Sequence, residues 1–203
     1  MNSPDGFLSC WLTGLAGQLP PLDRAMTLFC SDFFVPVSLS LILLFIWFGT
    51  KDRAQRERNQ HGAVNASLSL GIANLIVWLL NHAFHLNPWP RPFQVYPSAY
   101  LAAQLVFYYP HDPSFPSNAA ATTFAAATGL WFYNRRASLL LFPLAFIFCF
   151  ARVYAGVHYP LDILGGLTIG VLTGYACHRF LLLRPIDLIV SLLFTLGRKL
   201  YLA

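Results

Sequence analysis

The sequence predicts an all-α integral membrane protein, a bundle of five to six transmembrane helices, and three observations lead there. Of 203 residues, 57% are hydrophobic and only 10% are charged, against about 25% charged in soluble domains. Apolar runs recur at lengths near the roughly 20 residues that a helix needs to cross a hydrocarbon core. The basic residues gather in the gaps between those runs.

Taken in order, residues 7–30 are apolar but interrupted by Gly14, Gly17, Pro20 and Pro21, so 1–32 reads as an interfacial or re-entrant segment. Only Asp5 is charged ahead of it, and without a basic n-region no cleaved signal peptide is expected. Spans are expected at 33–49, 63–84, 119–133, 137–154 and 161–182, within a helical core covering 33–184. The third contains NAAATTFAAATG, whose small side chains suit close helix packing in lipid. A sixth run, 185–197, carries Asp187 near its start and either spans or lies in the interface. It falls in a C-terminal hydrophobic segment, 185–203, and the whole chain, 1–203, reads as one membrane domain.

Three basic clusters set the orientation: Lys51, Arg53, Arg56 and Arg58 in the loop KDRAQRER; Arg135 and Arg136; Arg179 and Arg184. All fall on one side of the predicted bundle, which the positive-inside rule makes cytoplasmic. Segments 85–118 and 154–160 are left outside. These anchors account for the net charge of +5, so no nucleic-acid partner is implied. Cys10, Cys30, Cys149 and Cys177 show no metal-like spacing, and Cys149 and Cys177 read as small apolar packing residues. No predicted span carries a chain of ionisable residues, which argues against a transporter or channel.

The outer segment 85–118 is too rich in proline for one helix. Its aromatic residues suit the headgroup level, with a short helix expected near Ala99 to Tyr108. Three pieces of chemistry meet the same aqueous boundary and make this an extracytoplasmic active-site loop: Arg91; Ser117 and Asn118; and Arg152, His158 and Asp162 in RVYAGVHYPLD. Ser117-Asn118 before an Ala-rich helix is an N-cap signature, and free N–H groups at a helix start favour an anion. Arginines aimed there supply bidentate recognition of phosphate. His158 with Asp162 one helical turn on forms a candidate nucleophile and its orienting partner. One histidine and one carboxylate are too few for a closed metal site, and neighbouring arginines repel a cation, so neither metal nor other cofactor is expected. Each residue has a plainer reading in isolation: Arg152 snorkelling to the interface, Asp162 a helix N-terminal charge, Ser117 a simple cap. Together they mark a site, because ionisable groups beside apolar spans are costly. His82, His85, His111 and His178 lack such company and read as structural or interfacial.

These residues resemble the type 2 phosphatidic acid phosphatase superfamily, whose membrane branch includes undecaprenyl diphosphate phosphatases. The family's third motif, SRxxxxxHxxxD, is matched from Ala151 to Asp162, with Ala151 where serine is usual. The second, PSGH or PSDH, is echoed by Phe115 to Ala119, and the end of the first, KxxxxxxRP, by Arg91-Pro92. The resemblance implies phosphate binding by Arg91, Ser117, Asn118 and Arg152, nucleophilic attack by His158, and orientation of that histidine by Asp162. It also implies a phosphorylated lipid as substrate and a bacterial plasma membrane as location.

Two positions depart from the pattern. Phe84 stands where the family has lysine, and Ala119 where it has the histidine that protonates the leaving group. General acid catalysis is worth about 10²–10⁴-fold. A leaving group that is itself a phosphate monoester, with a second pKa of about 6, departs with little protonation. The expected substrate is therefore a lipid diphosphate such as a polyprenyl diphosphate, cleaved through a phosphohistidine. His111 is a second source to weigh for the missing proton. The alternative is a catalytically impaired relative that only binds a phosphorylated lipid.

Overall fold

The structure is a computed structural model describing residues 3–83, 89–181, 191, 192 and 195. Nine helices are present among the described residues, and no strand. Their order is α1 (Pro4–Thr13), α2 (Pro20–Cys30), α3 (Phe34–Phe48), α4 (Arg53–Ala83), α5 (Pro92–Val95), α6 (Pro97–Val106), α7 (Asn118–Trp131), α8 (Arg135–Tyr154) and α9 (Pro160–Leu181).

The membrane helices begin and end where local chemistry tells them to. Proline opens α1, α2, α5, α6 and α9, where its missing N–H costs no hydrogen bond. Ser3, Ser117 and Asn134 cap α1, α7 and α8 with side-chain oxygens. Helices α4, α8 and α9 are each long and apolar enough to cross a membrane; α2 and α3, bent by 63° at the break between them, make a fourth if taken as one broken span. With 14 residues, α7 is shorter than a single crossing requires.

Helix α7 is nonetheless the hub. It packs against α4, α8 and α9, and its residues from Ala119 to Leu130 are buried almost throughout. The Ala and Thr side chains let neighbouring backbones approach closely, which is how helices associate in lipid. Gly166, Gly170 and Gly174 supply the matching stripe on α9: a Cβ on Gly170 would stand 2.5 Å from the Ala121 carbonyl oxygen, and one on Gly174 2.8 Å from Thr128 Cβ. Asn65 of α4 donates to the Gly129 carbonyl at 2.8 Å, tying the third neighbour to the same hub.

One expectation is revised and two segments gain detail. The basic run KDRAQRER is a loop only as far as Asp52; α4 begins at Arg53, capped by the Asp52 carboxylate accepting from Gln55 N at 2.9 Å. The proline-rich segment 85–118 carries two short helices among its described residues, α5 and α6, with α6 close to the expected place. The N-terminal segment is a helical pair packed where α8 ends and α9 begins: Asp5 accepts from Leu161 N at 3.0 Å, and Tyr154 donates to Asp23. Phe84, His85, Arg184, Asp187 and most of 185–203 lie outside the described residues.

Candidate active site

RVYAGVHYPLD folds as the end of α8, a tight turn, and the start of α9. Gly156 makes the turn possible. Its φ is +68°, and a Cβ there would meet the Ala99 backbone oxygen at 2.6 Å. The chain reverses at this glycine, so Arg152 and His158 come to one cavity while Asp162 reaches His158 from the first turn of α9.

Asp162 is the most constrained group of the set. Its Oδ2 accepts from Ser114 Oγ at 2.5 Å and from the Tyr159 N–H at 2.8 Å, and lies 3.4 Å from His158 Nδ1. Its backbone carbonyl accepts from Ser117 N at 3.1 Å, joining the start of α9 to the cap of α7. The imidazole contact is long for a hydrogen bond, as catalytic contacts in unliganded sites often are. Nδ1 has no hydrogen-bond partner among the described residues, and the opposite nitrogen, Nε2, faces Arg91 Nη1 at 3.4 Å. A proton on Nδ1 leaves the Nε2 lone pair directed into the cavity. Burial holds the His158 imidazole below its ordinary pKa, with Asp162 pulling it back up and Arg91 and Arg152 pushing it further down.

That cavity measures about 260 Å³ and is lined by Asp32, Arg91, Tyr108, Asp112, Asn118, Ala119, Thr122, Phe148, Arg152 and His158. Arg91 is held on all sides. Its Nη1 donates to Val157 O at 2.7 Å, its Nε to Asp112 O at 2.9 Å, and its Nη2 to Asp112 Oδ1 at 2.9 Å. Burial lowers its pKa, an effect that Asp112 opposes. Arg152 lies between the rings of Tyr108 and Phe148, 4.3 and 4.7 Å from their centroids, with Nη2 on Asp32 Oδ1 at 2.8 Å. Its Nε is buried with no hydrogen-bond partner among the described residues. A guanidinium only 5% exposed is not a snorkelling one.

The structure thus brings Arg91, Asn118, Arg152 and His158 to one cavity, with Asp162 behind the histidine. Ser117 stands apart: it is fully buried, its hydroxyl accepting from Ala120 N at 3.4 Å as the cap of α7. Ala119 lines the wall where the resemblance would place a histidine, so that wall offers only a methyl group. Sequence reasoning missed Asp32, Asp112, Ser114 and Tyr108. None belongs to a motif, and only the PHDPS run, polar within an aromatic loop, gave a hint of Asp112 and Ser114.

Guanidinium groups around an oriented imidazole suit the recognition and transfer of phosphoryl groups. On a helical membrane scaffold, that chemistry defines the class of membrane lipid phosphatases. Residues 62–185 match the PAP2 superfamily, and the chain belongs to it. It is 31% identical over 183 residues to the undecaprenyl-diphosphatase BcrC of Bacillus subtilis (strain 168), covering 88% of this chain and 86% of that protein. It is 32% identical over 145 residues to the putative undecaprenyl-diphosphatase YbjG of Escherichia coli (strain K12), covering 70% of this chain and 64% of that one. Among solved structures, Aquifex aeolicus LpxE superposes with a TM-score of 0.60 at 26% identity, over 84% of this chain and 92% of its own. A transmembrane PAP2 type phosphatidylglycerolphosphate phosphatase from Bacillus subtilis shares the fold, with a TM-score of 0.56 at 20% identity over 85% and 84%. The protein is an integral membrane phosphatase of the PAP2 type.

Proposed function

We propose that this phosphatase hydrolyses a polyprenyl diphosphate on the extracytoplasmic face of a bacterial plasma membrane, through a phosphohistidine on His158. The observation that carries the reading is a contrast within one cavity. The histidine and aspartate of the nucleophile pair are both present, with Nε2 of His158 turned towards Arg91 and Arg152 lining the same cavity, while Ala119 supplies no acid.

In this reading His158 Nε2 attacks the terminal phosphorus, and the bond from that phosphorus to the bridging oxygen breaks. Arg91 and Arg152 balance the charge on the equatorial oxygens, the main contribution a protein makes to phosphoryl transfer. Asp162 holds the ring and stabilises the positive charge it acquires. The N–H groups at the start of α7 face the same anion, with Ser117 holding that helix start in place and the Asn118 side chain in the wall. The leaving lipid phosphate requires little protonation, so the alanine is tolerated. Water then cleaves the phosphohistidine and releases orthophosphate. The names of two relatives, undecaprenyl-diphosphatase BcrC and putative undecaprenyl-diphosphatase YbjG, support the choice of a diphosphate.

The experiment is phosphate release in detergent, without added metal, from a polyprenyl diphosphate and from phosphatidic acid, with His158→Ala alongside. Release from the diphosphate well above that from phosphatidic acid, lost in the variant, is expected. Equal release from both would refute the preference.

A further inference from the structure

A second cavity, of about 450 Å³, opens beside the first, between the outer part of α4, the turn at His111–Pro113 and the start of α7. Asp112 and Asn118 line both cavities and form the partition between them. The polar part of the second lining includes groups able to donate: the amides of Asn74 and Asn81 and the imidazole of His82 from α4, His111 from the loop and Asn118 from α7. The Asn81 Oδ1, an acceptor, is buried with no hydrogen-bond partner among the described residues, so only the Nδ2 of that amide can serve an anion. Asp112 is the single acidic lining residue, and its Oδ1 is engaged by Arg91 at 2.9 Å. At one edge the cavity is lined by Trp78, stacked on His82 with centroids 5.6 Å apart and 58% exposed.

The cavity adjoins the candidate phosphate pocket, carries two imidazoles and asparagine amides that can donate, and ends at an exposed aromatic ring, which together can take a second phosphate with an apolar tail. We propose that it is the subsite for the leaving phosphate of the lipid diphosphate, a proposal that rests on the substrate reading above. The terminal phosphate lies against His158 and the two arginines, and the lipid-linked phosphate is hydrogen-bonded by His82, His111, Asn81 and Asn118. The polyprenyl chain leaves over Trp78. As the Nε2–P bond forms, the electron pair of the breaking P–O bond passes to the bridging oxygen, so negative charge grows on the lipid monophosphate. It grows where these donors stand, and donors that meet developing charge lower the barrier. Asn118 and the loop histidine thereby serve the side of the site where Ala119 has nothing to offer.

The test compares kcat/KM for a polyprenyl diphosphate and for the monophosphate of the same chain length, in detergent, for the wild type, His82→Ala, His111→Ala and the corresponding Gln variants. The ratio of diphosphate to monophosphate is expected to fall about tenfold or more in each Ala variant, the effect of losing one preorganised donor being up to 10²–10³-fold. The Gln variants, which keep a donor, are expected to recover part of it. Inorganic diphosphate should also lose its advantage over orthophosphate as an inhibitor. A wild type preferring the diphosphate, with variants that keep its ratio, overturns the subsite alone. A wild type without that preference overturns the substrate reading and the subsite with it. Thermal melts of each variant identify any that fails to fold, for which the Gln form decides.

Discussion

Arg152 and Asp32 meet at 2.8 Å across 120 residues of sequence, and the guanidinium is 5% exposed while the carboxylate is 56% exposed. The partner of a buried cation is thus the group nearest solvent. Asp112 stands in the same relation to Arg91, with 54% against 3% exposure. Each of these arginines is thus held by a carboxylate far more exposed than itself, and an anion entering the cavity would compete with Asp32 for Arg152.

Asp32→Asn removes one competing charge and is expected to tighten inhibition by orthophosphate. A half-exposed ion pair is worth about 0.5–1 kcal/mol, which corresponds to roughly two- to fivefold. Inhibition constants at fixed ionic strength check this. Weaker inhibition would show that Asp32 serves chiefly to position Arg152.

Burial lowers the His158 pKa, so the imidazole stays neutral and nucleophilic at pH values below its ordinary 6.5. The acid limb of kcat/KM is expected below that value. Asp162 opposes the lowering, so Asp162→Asn should move the limb further down while reducing kcat by about 10²–10⁴-fold through loss of ring orientation. For stability the sign is fixed: the unfolded chain takes up the proton first, so this contribution is complete above pH 6.5 and declines as pH falls below it. A pH–rate profile of both proteins, with thermal melts across the same range, measures all three effects.

Ala119→His places an imidazole on the cavity wall where the family pattern has one. Hydrolysis of a lipid monophosphate should rise by about 10²-fold, the lower end of general acid catalysis. The diphosphate rate should change far less. A parallel rise in both would contradict the claim that the leaving phosphate needs no acid.

Gly170→Leu forces a side chain into the α7–α9 contact, where even a Cβ stands 2.5 Å from the Ala121 carbonyl. The expected cost is about 1–3 kcal/mol, read as a lower melting temperature in detergent, with activity falling in proportion to the folded fraction.

The core of the site was legible because its parts are local. In RVYAGVHYPLD the spacing of Arg152, His158 and Asp162 survives folding, since one glycine turn and one helix start bring them together. The runs 137–154 and 161–182 were read with bounds within two residues, whereas the run 63–84 begins ten residues earlier, at Arg53. Three helices, or four with the bent α2–α3 pair, are long and apolar enough to cross among the described residues, against the five to six expected, and the Ala-rich run became α7, a buried hub shorter than a crossing. What the sequence hid is what depends on distance. Asp32 comes from the turn between α2 and α3, and Ser114 reaches Asp162 across 48 residues, with no motif to announce either. The second cavity is harder still to see, because His82 and His111 look solitary until α4 and the loop are packed against α7. Ser117 shows the converse: a cap signature was correct, and its hydroxyl is spent on the helix itself.

The most direct test of the central claim is to quench the enzyme rapidly with a polyprenyl diphosphate labelled in its terminal phosphate and look for label on the protein. An acid-labile, base-stable phosphoenzyme in the wild type, absent in His158→Ala, is the predicted result. Steady-state hydrolysis without any such adduct, or an adduct that survives in His158→Ala, would contradict the assignment of His158 as nucleophile.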